Sequence, residues 1–102
     1  MSLKAAFVFL APEVDPQQHR RTVITPAVEL TAVAVNNYTE AVRVCECLVD
    51  EGTVAIELCG GFGNLGTAKI AEAVKGRAAV GVVRFDGHPG LEFKSGDELF
   101  NR

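Results

Sequence analysis

The residues able to do chemistry gather in one stretch and in the segment that follows the next apolar run. Glu57-Leu58-Cys59-Gly60-Gly61-Phe62-Gly63-Asn64-Leu65-Gly66 carries an apolar run into four glycines and then into an amphipathic segment. That order of residues predicts a strand, a tight loop and the start of a helix. It would set a thiol and several backbone N–H groups at a helix N-terminus, where the positive end of the helix dipole favours an anion or a thiolate. Downstream stand Arg84, Asp86 and His88. They offer a cation for an anionic group, a carboxylate able to accept a proton, and a ring that titrates near neutral pH.

The loop supports three readings. Gly61-Phe62-Gly63-Asn64-Leu65-Gly66 matches G-x-G-x-x-G, and Asp86 follows Gly66 by twenty residues, as in a dinucleotide fingerprint. Size opposes that reading, because two mononucleotide halves and a substrate domain do not fit in 102 residues, and this unit comes third in the chain. A smaller phosphate or carboxylate could instead sit on the N–H groups of Gly60, Gly61, Phe62, Gly63 and Asn64. In the third reading the glycines serve only a tight turn and close packing.

Cys59 could act as a nucleophile with His88 as its base and Asp86 beside it, or it could be a small buried hydrophobe, the commoner role of a free cysteine. A phosphatase-type Cys-x5-Arg loop is excluded, because position 65 is Leu65. Glu57 and Arg84 interrupt apolar runs. Paired across neighbouring strands they would form a structural ion pair; unpaired, Arg84 could bind a substrate anion with Glu57 or Asp86 as proton acceptor. Within Asp86-Gly87-His88-Pro89-Gly90, His88 is either an acid/base group or a turn histidine exposed to solvent. Cys45, Cys47 and His19 assemble no tetrahedral metal site at recognised spacing, and no cofactor is indicated.

Composition limits the partners. With ten basic and thirteen acidic residues the net charge is -3, and the largest basic cluster is Arg20-Arg21. Nucleic acid and anionic membranes are therefore poor partners. No apolar run reaches the roughly 20 residues of a membrane span. Three cysteines, an odd number, suit reduced thiols and a cytoplasmic location. A core limited by 102 residues and a sheet with two edges predict a homo-oligomer.

The elements that must position these groups follow from periodicity. Residues 4–10, 29–35, 53–59 and 78–86 are apolar or β-branched runs that predict four strands. Asp15-Pro16-Gln17-Gln18 has a helix-start signature, predicting a short helix over Pro16–Arg21 before the β-branched Thr22-Val23-Ile24. Asn37 and Glu40 form a capping box, with Ala41, Val42, Cys45, Leu48 and Val49 at helical spacing and Gly52 as the stop. Leu65, Ala68, Ala71 and Val74 predict the apolar face of the next helix, which Gly76 closes. Residues 1–3 read as a leader, and 87–102 as an irregular tail that packs over the sheet or onto a second subunit and could close the site.

Strands alternating with helices predict one α/β domain over 1–102, a four-stranded, mainly parallel sheet in the order 2-1-3-4, of flavodoxin-like or half-Rossmann type. In such sheets ligands bind beyond the carboxyl ends of the strands. The chemically able residues fall on that edge.

The segments Glu57–Gly63, Val82–Asp86, His88–Gly90 and Ser95–Phe100, with Ala5–Pro12 at the start, resemble a family of small uncharacterised bacterial proteins of about this length. The resemblance spans nearly the whole chain. It implies a stand-alone domain and transfers no catalytic residue. The residues themselves suggest a site for a small phosphorylated or carboxylated metabolite, with a Cys59/His88 thiol enzyme and a ligand-free homo-oligomer as alternatives.

Overall fold

Residues 2–85 and 88–102 are described by the computed structural model. The elements are β1 (Leu3–Leu10), β2 (Arg20–Ile24), β3 (Val28–Val35), α1 (Tyr38–Asp50), β4 (Ala55–Leu58), α2 (Asn64–Ala73), β5 (Ala79–Val82), a 3₁₀ turn (Pro89–Leu91) and α3 (Gly96–Phe100). The sheet runs β2-β3-β1-β4-β5. β1 pairs in parallel with β3 from Leu3↔Val28 to Leu10↔Val35 and with β4 from Ala5↔Ala55 to Val8↔Leu58, and β5 adds in parallel beyond β4. These four strands keep the relative order expected from the sequence. The sheet is nevertheless five-stranded and mixed, because β2 pairs antiparallel with β3. Leu3, read as part of a leader, is the first residue of β1.

The helix expected over Pro16–Arg21 is corrected to a single turn. The N–H groups of Gln18 and His19 both donate to the Asp15 carbonyl, at 3.0 and 2.7 Å, and Arg20 already begins β2. Thr22-Val23-Ile24 is strand, and the Thr25 N–H and hydroxyl both donate to the Val28 carbonyl, at 2.8 and 2.9 Å, to close a hairpin. Two isolated helical turns are marginal in water, whereas β-branched residues on an edge gain a full ladder of hydrogen bonds.

α1 begins as its capping signature predicts. Asn37 accepts the Glu40 N–H at 2.9 Å. The Glu40 carboxylate reaches back to the Asn36 N–H at 2.8 Å, one residue further than in the usual reciprocal box. Tyr38, Ala41, Cys45, Leu48 and Val49 form its buried stripe, and Gly52, at φ 108°, lies just past its end.

β3 to β4 through α1 and β4 to β5 through α2 step the same way across the sheet, so right-handed crossovers lay both helices on one face. There Ala6 and Val8 of β1, Val33 and Val35 of β3, and Ile56 and Leu58 of β4 pack with Tyr38, Leu48, Phe62 and Ile70 in one core. The architecture is two-layered. The opposite face carries Phe7 and Phe9, half-buried, with ring centroids 6.2 Å apart, beside Leu30 and Ala32.

α2 presents a different stripe from the one its pattern suggested. Gly66, Ile70 and Val74 are buried, whereas Leu65 is 55% exposed and Ala68 and Ala71 face solvent. The helix is rolled by about one residue, because Gly66 must face Tyr38, as shown below.

Burial of Cys45 in this core pushes its thiol up to about 12, while Cys47, two residues on, is exposed. At neutral pH the Cys45 thiolate fraction falls by more than about a thousand-fold against an ordinary cysteine with a pKa of about 8.5. Native protein treated with iodoacetamide should therefore be modified at Cys47 and stay unmodified at Cys45 until it is unfolded, as mapped by peptide mass. Equal rates at the two positions would contradict this packing of α1.

Candidate functional site

The glycine loop joins β4 to α2 at the carboxyl edge of the sheet. Among the described residues the glycines with positive φ are Gly52 and Gly76, so those of the loop are not held there by left-handed backbone. Close approach explains four glycines at this edge, and a Cβ on Gly60 would meet the Phe85 ring and one on Gly63 the Asp97 carboxylate. A Cβ on Gly66 would enter the Tyr38 ring, and one on Gly96, in the first turn of α3, would collide with the Gly61 carbonyl. Helix α1 and the C-terminal tail thus press directly onto the loop and the first turn of α2.

An anion does occupy the N-terminus of α2, and it belongs to the chain. Gly63, the N-cap, has no side chain to cap the helix. Asp97 of α3 supplies the carboxylate, accepting the Leu65 N–H at 2.9 Å through Oδ2 and the Gly66 N–H at 3.0 Å through Oδ1, from 32 and 31 residues away in sequence. These are the N2 and N3 donors that an ordinary cap residue would satisfy. The buried Tyr38 hydroxyl completes the arrangement: it donates to Asp97 Oδ1 at 2.9 Å and accepts the Gly63 N–H at 3.0 Å. The Tyr38 ring stacks on Phe62 at 5.3 Å and meets Phe100 of α3 at 6.5 Å. Asp97 is itself held by the Ser95 hydroxyl, which accepts its N–H at 3.1 Å.

Electrostatics follow this geometry. Partial burial alone would raise the Asp97 pKa, but the Leu65 and Gly66 N–H groups and the Tyr38 hydroxyl favour the ionised carboxylate and hold it below its usual range. Burial, with the Asp97 charge beside it, pushes the Tyr38 hydroxyl well above its ordinary value, so it stays a donor throughout the neutral range.

Around this anchor lies a cleft of about 300 Å³. Gly60, Phe62, Gly63, Asn64 and Thr67 form one wall, Arg84, Phe85 and His88 a second, and Lys94 and Ser95 a third. Of the residues singled out in the sequence, the structure brings together Gly60, Phe62, Gly63, Asn64, Arg84 and His88. Gly61 is buried behind them, under Gly96. His88 Nδ1 accepts the Gly90 N–H at 3.1 Å, and its ring packs on Phe85 at 4.7 Å, leaving Nε2–H as the donor of the neutral ring. Asp86 lies outside the described residues.

Two expectations are corrected. Cys59 is absent from the cleft lining. Its half-buried sulfur accepts the Leu10 and Gly61 N–H groups, at 3.4 and 3.3 Å, and packs against the core, so its contacts and those of His88 go to different partners. Glu57 is exposed on the open face of the sheet beside Phe7 and Gly81, and β5 ends at Val82, two residues before Arg84. Among the described residues the ion pairs are Lys4–Glu29, Arg77–Asp50 and Lys94–Glu92, and Glu57 and Arg84 do not meet. The strand stops early because Arg84 lies beyond the end of the β4 ladder, whose last partner is Leu58↔Val82. No cluster of three or more His, Cys, Asp or Glu side chains among the described residues is placed to hold a metal ion.

Asp97, Tyr38, Thr67 and Lys94 were not legible as site residues. One signal bore on this position: Gly63 at the helix start has no side chain to cap it, so the first N–H groups need an acceptor from solvent, a ligand or elsewhere in the chain.

Residues 3–98 match the family of unknown function DUF6506, and the chain belongs to that family. No curated protein and no solved structure matches it.

Because the folded Asp97 pKa lies below the unfolded value of about 3.9, its stabilising contribution is complete above that pH and is lost as pH falls through the folded pKa. Asp97→Ala, which removes both acceptor oxygens, should cost about 1–2 kcal/mol at pH 7, the range of a lost N-cap, in urea unfolding. The gap between the two proteins should close in acid. A variant as stable as wild type at neutral pH would contradict the capping role.

Proposed function

We propose that the cleft binds a small carboxylated or phosphorylated metabolite. The lining supports this reading chemically. Arg84 and Lys94 supply positive charge from two walls, Asn64 and the Nε2–H of His88 supply neutral donors, and Phe62 and Phe85 supply apolar surface for the rest of a small molecule. A volume of about 300 Å³ suits a metabolite and is too small for a dinucleotide. The Leu65 and Gly66 N–H groups are already bonded to Asp97, so a ligand anion would take its charge from Arg84 and Lys94 instead.

One observation carries the reading. Two cations, Arg84 and Lys94, stand on different walls of one cleft whose polar lining also includes Asn64 and His88. The chemistry is that of recognition.

Titration of the protein with inorganic phosphate and with malonate, followed by amide NMR, tests the proposal and separates the two anion classes. Binding of either should move the Thr67, His88 and Lys94 resonances, and Arg84→Ala should weaken it by about 10- to 100-fold, the worth of one charge-assisted hydrogen bond. Shifts confined to other regions, or full affinity in the Arg84→Ala variant, would overturn it.

A further inference from the structure

The face of the sheet opposite the helices carries a pattern of its own. The register aligns Arg21, Ala32, Phe7, Glu57 and Gly81 in one row across β2, β3, β1, β4 and β5. One row toward the amino ends of the parallel strands stand Val23, Leu30, Ala5, Ala55 and Ala79, and one row the other way Ala34 and Phe9. Side chains alternate along a strand, so all of these share the face that α1 and α2 leave bare. Val23 is 60% exposed, Phe7, Phe9, Leu30 and Ala32 are half-buried, and none of the five belongs to the core beneath the helices, while the small Ala5 and Ala34 are already buried between their larger neighbours. An apolar sheet face flanked by one cation and one anion in a single row needs an occupant.

We infer that this occupant is a second copy of the chain, packed face to face about a two-fold axis that runs along the strands between β3 and β1. Such an axis exchanges columns on either side of it. Arg21 then meets Glu57 of the second copy, Phe7 meets Ala32, and Val23 meets Ala55. Every exchange sets a large side chain against a small one or a positive charge against a negative one. Because the contact is isologous, each pairing occurs twice.

Neighbouring placements fail on the same residues. An axis through β1 stacks Phe7 on Phe7 and sets Glu57 against Ala32. An axis between β1 and β4 presses Phe7 onto Glu57. An axis across the strands through the middle row brings Arg21 to Arg21 and Glu57 to Glu57. Aligned sheets cross at about 30°, an offset that the long Arg21 and Glu57 side chains can span at the flanks while the central columns stay in register. The cleft at the carboxyl edge lies outside this face, so the dimer and the ligand proposal stand independently.

Sedimentation equilibrium on the whole chain tests the arrangement, with circular dichroism confirming that each surface variant is folded. Wild type should run at twice its 10.9 kDa chain mass. Arg21→Glu and Glu57→Arg each place like charges at both pairings and should weaken self-association by about 100-fold or more. Mixed in equal amounts, the two variants should associate with each other, because one copy then brings Glu at both positions and the other Arg at both. Wild type that stays at 10.9 kDa up to about 1 mM, single variants that dimerise undiminished, or a mixture that remains monomeric would overturn the inference.

Discussion

The carboxylate of Asp97 on the first turn of α2 is the interaction on which the rest of the carboxyl edge depends. A helix that starts at a glycine has unsatisfied N–H groups and a partial positive charge, and it must find an acceptor in solvent, in a ligand or elsewhere in the chain. Here the tail supplies it, through Leu65 and Gly66. The consequences run outward from that bond. Tyr38 must stand beside the helix to donate to the same carboxylate, so position 66 has room only for glycine. Helix α3 must lie on the loop to present Asp97, so Gly96 rests on the Gly61 carbonyl. The cleft is the space left between this docked tail, the glycine loop and the segment that carries Arg84 and His88.

An internal anion also changes what the glycine motif means. In a nucleotide-binding loop the same N–H groups are kept for phosphate, and glycine permits the backbone to approach it. In this chain the equivalent groups are already engaged, and the cationic side chains stand at the sides of the cleft rather than at the helix axis. Charge for any ligand would then come from flexible side chains, a geometry suited to a small anion and unlike a pyrophosphate cradle. The sheet divides its two faces accordingly. One is closed by α1 and α2 and carries the fold, while the other presents Phe7, Phe9 and Leu30 between Arg21 and Glu57.

Local signals in the sequence were reliable where the physics is local. Asn37 caps α1, Gly52 and Gly76 take left-handed backbone, and the apolar runs of β1 and β3 mark fully paired parallel strands. Alternation of strands and helices implied a mainly parallel α/β sheet, and the four parallel strands lie in one mixed sheet with the antiparallel β2 added beside β3. What could not be read locally was decided by partners distant in sequence. β2 is strand because β3 lies beside it, against a helix-start signature at Asp15-Pro16. The buried stripe of α2 is set by Tyr38, not by the helix's own periodicity, which favoured Leu65 and Ala68. Asp97 sat in a segment that read as an irregular tail, and only the missing cap at Gly63 hinted that an acceptor was needed. Cys59 looked reactive from its place before a helix, yet its sulfur is turned toward the Leu10 and Gly61 backbone.

The most direct measurement is a paired NMR titration of the Asp97 carboxyl carbon and the Leu65 and Gly66 amides in acid. The account predicts that all three move together, with a common midpoint below the ordinary aspartate value of about 3.9, as protonation weakens the two hydrogen bonds at the start of α2. An Asp97 carboxyl that titrates at that ordinary value, with the two amides unmoved, would contradict it.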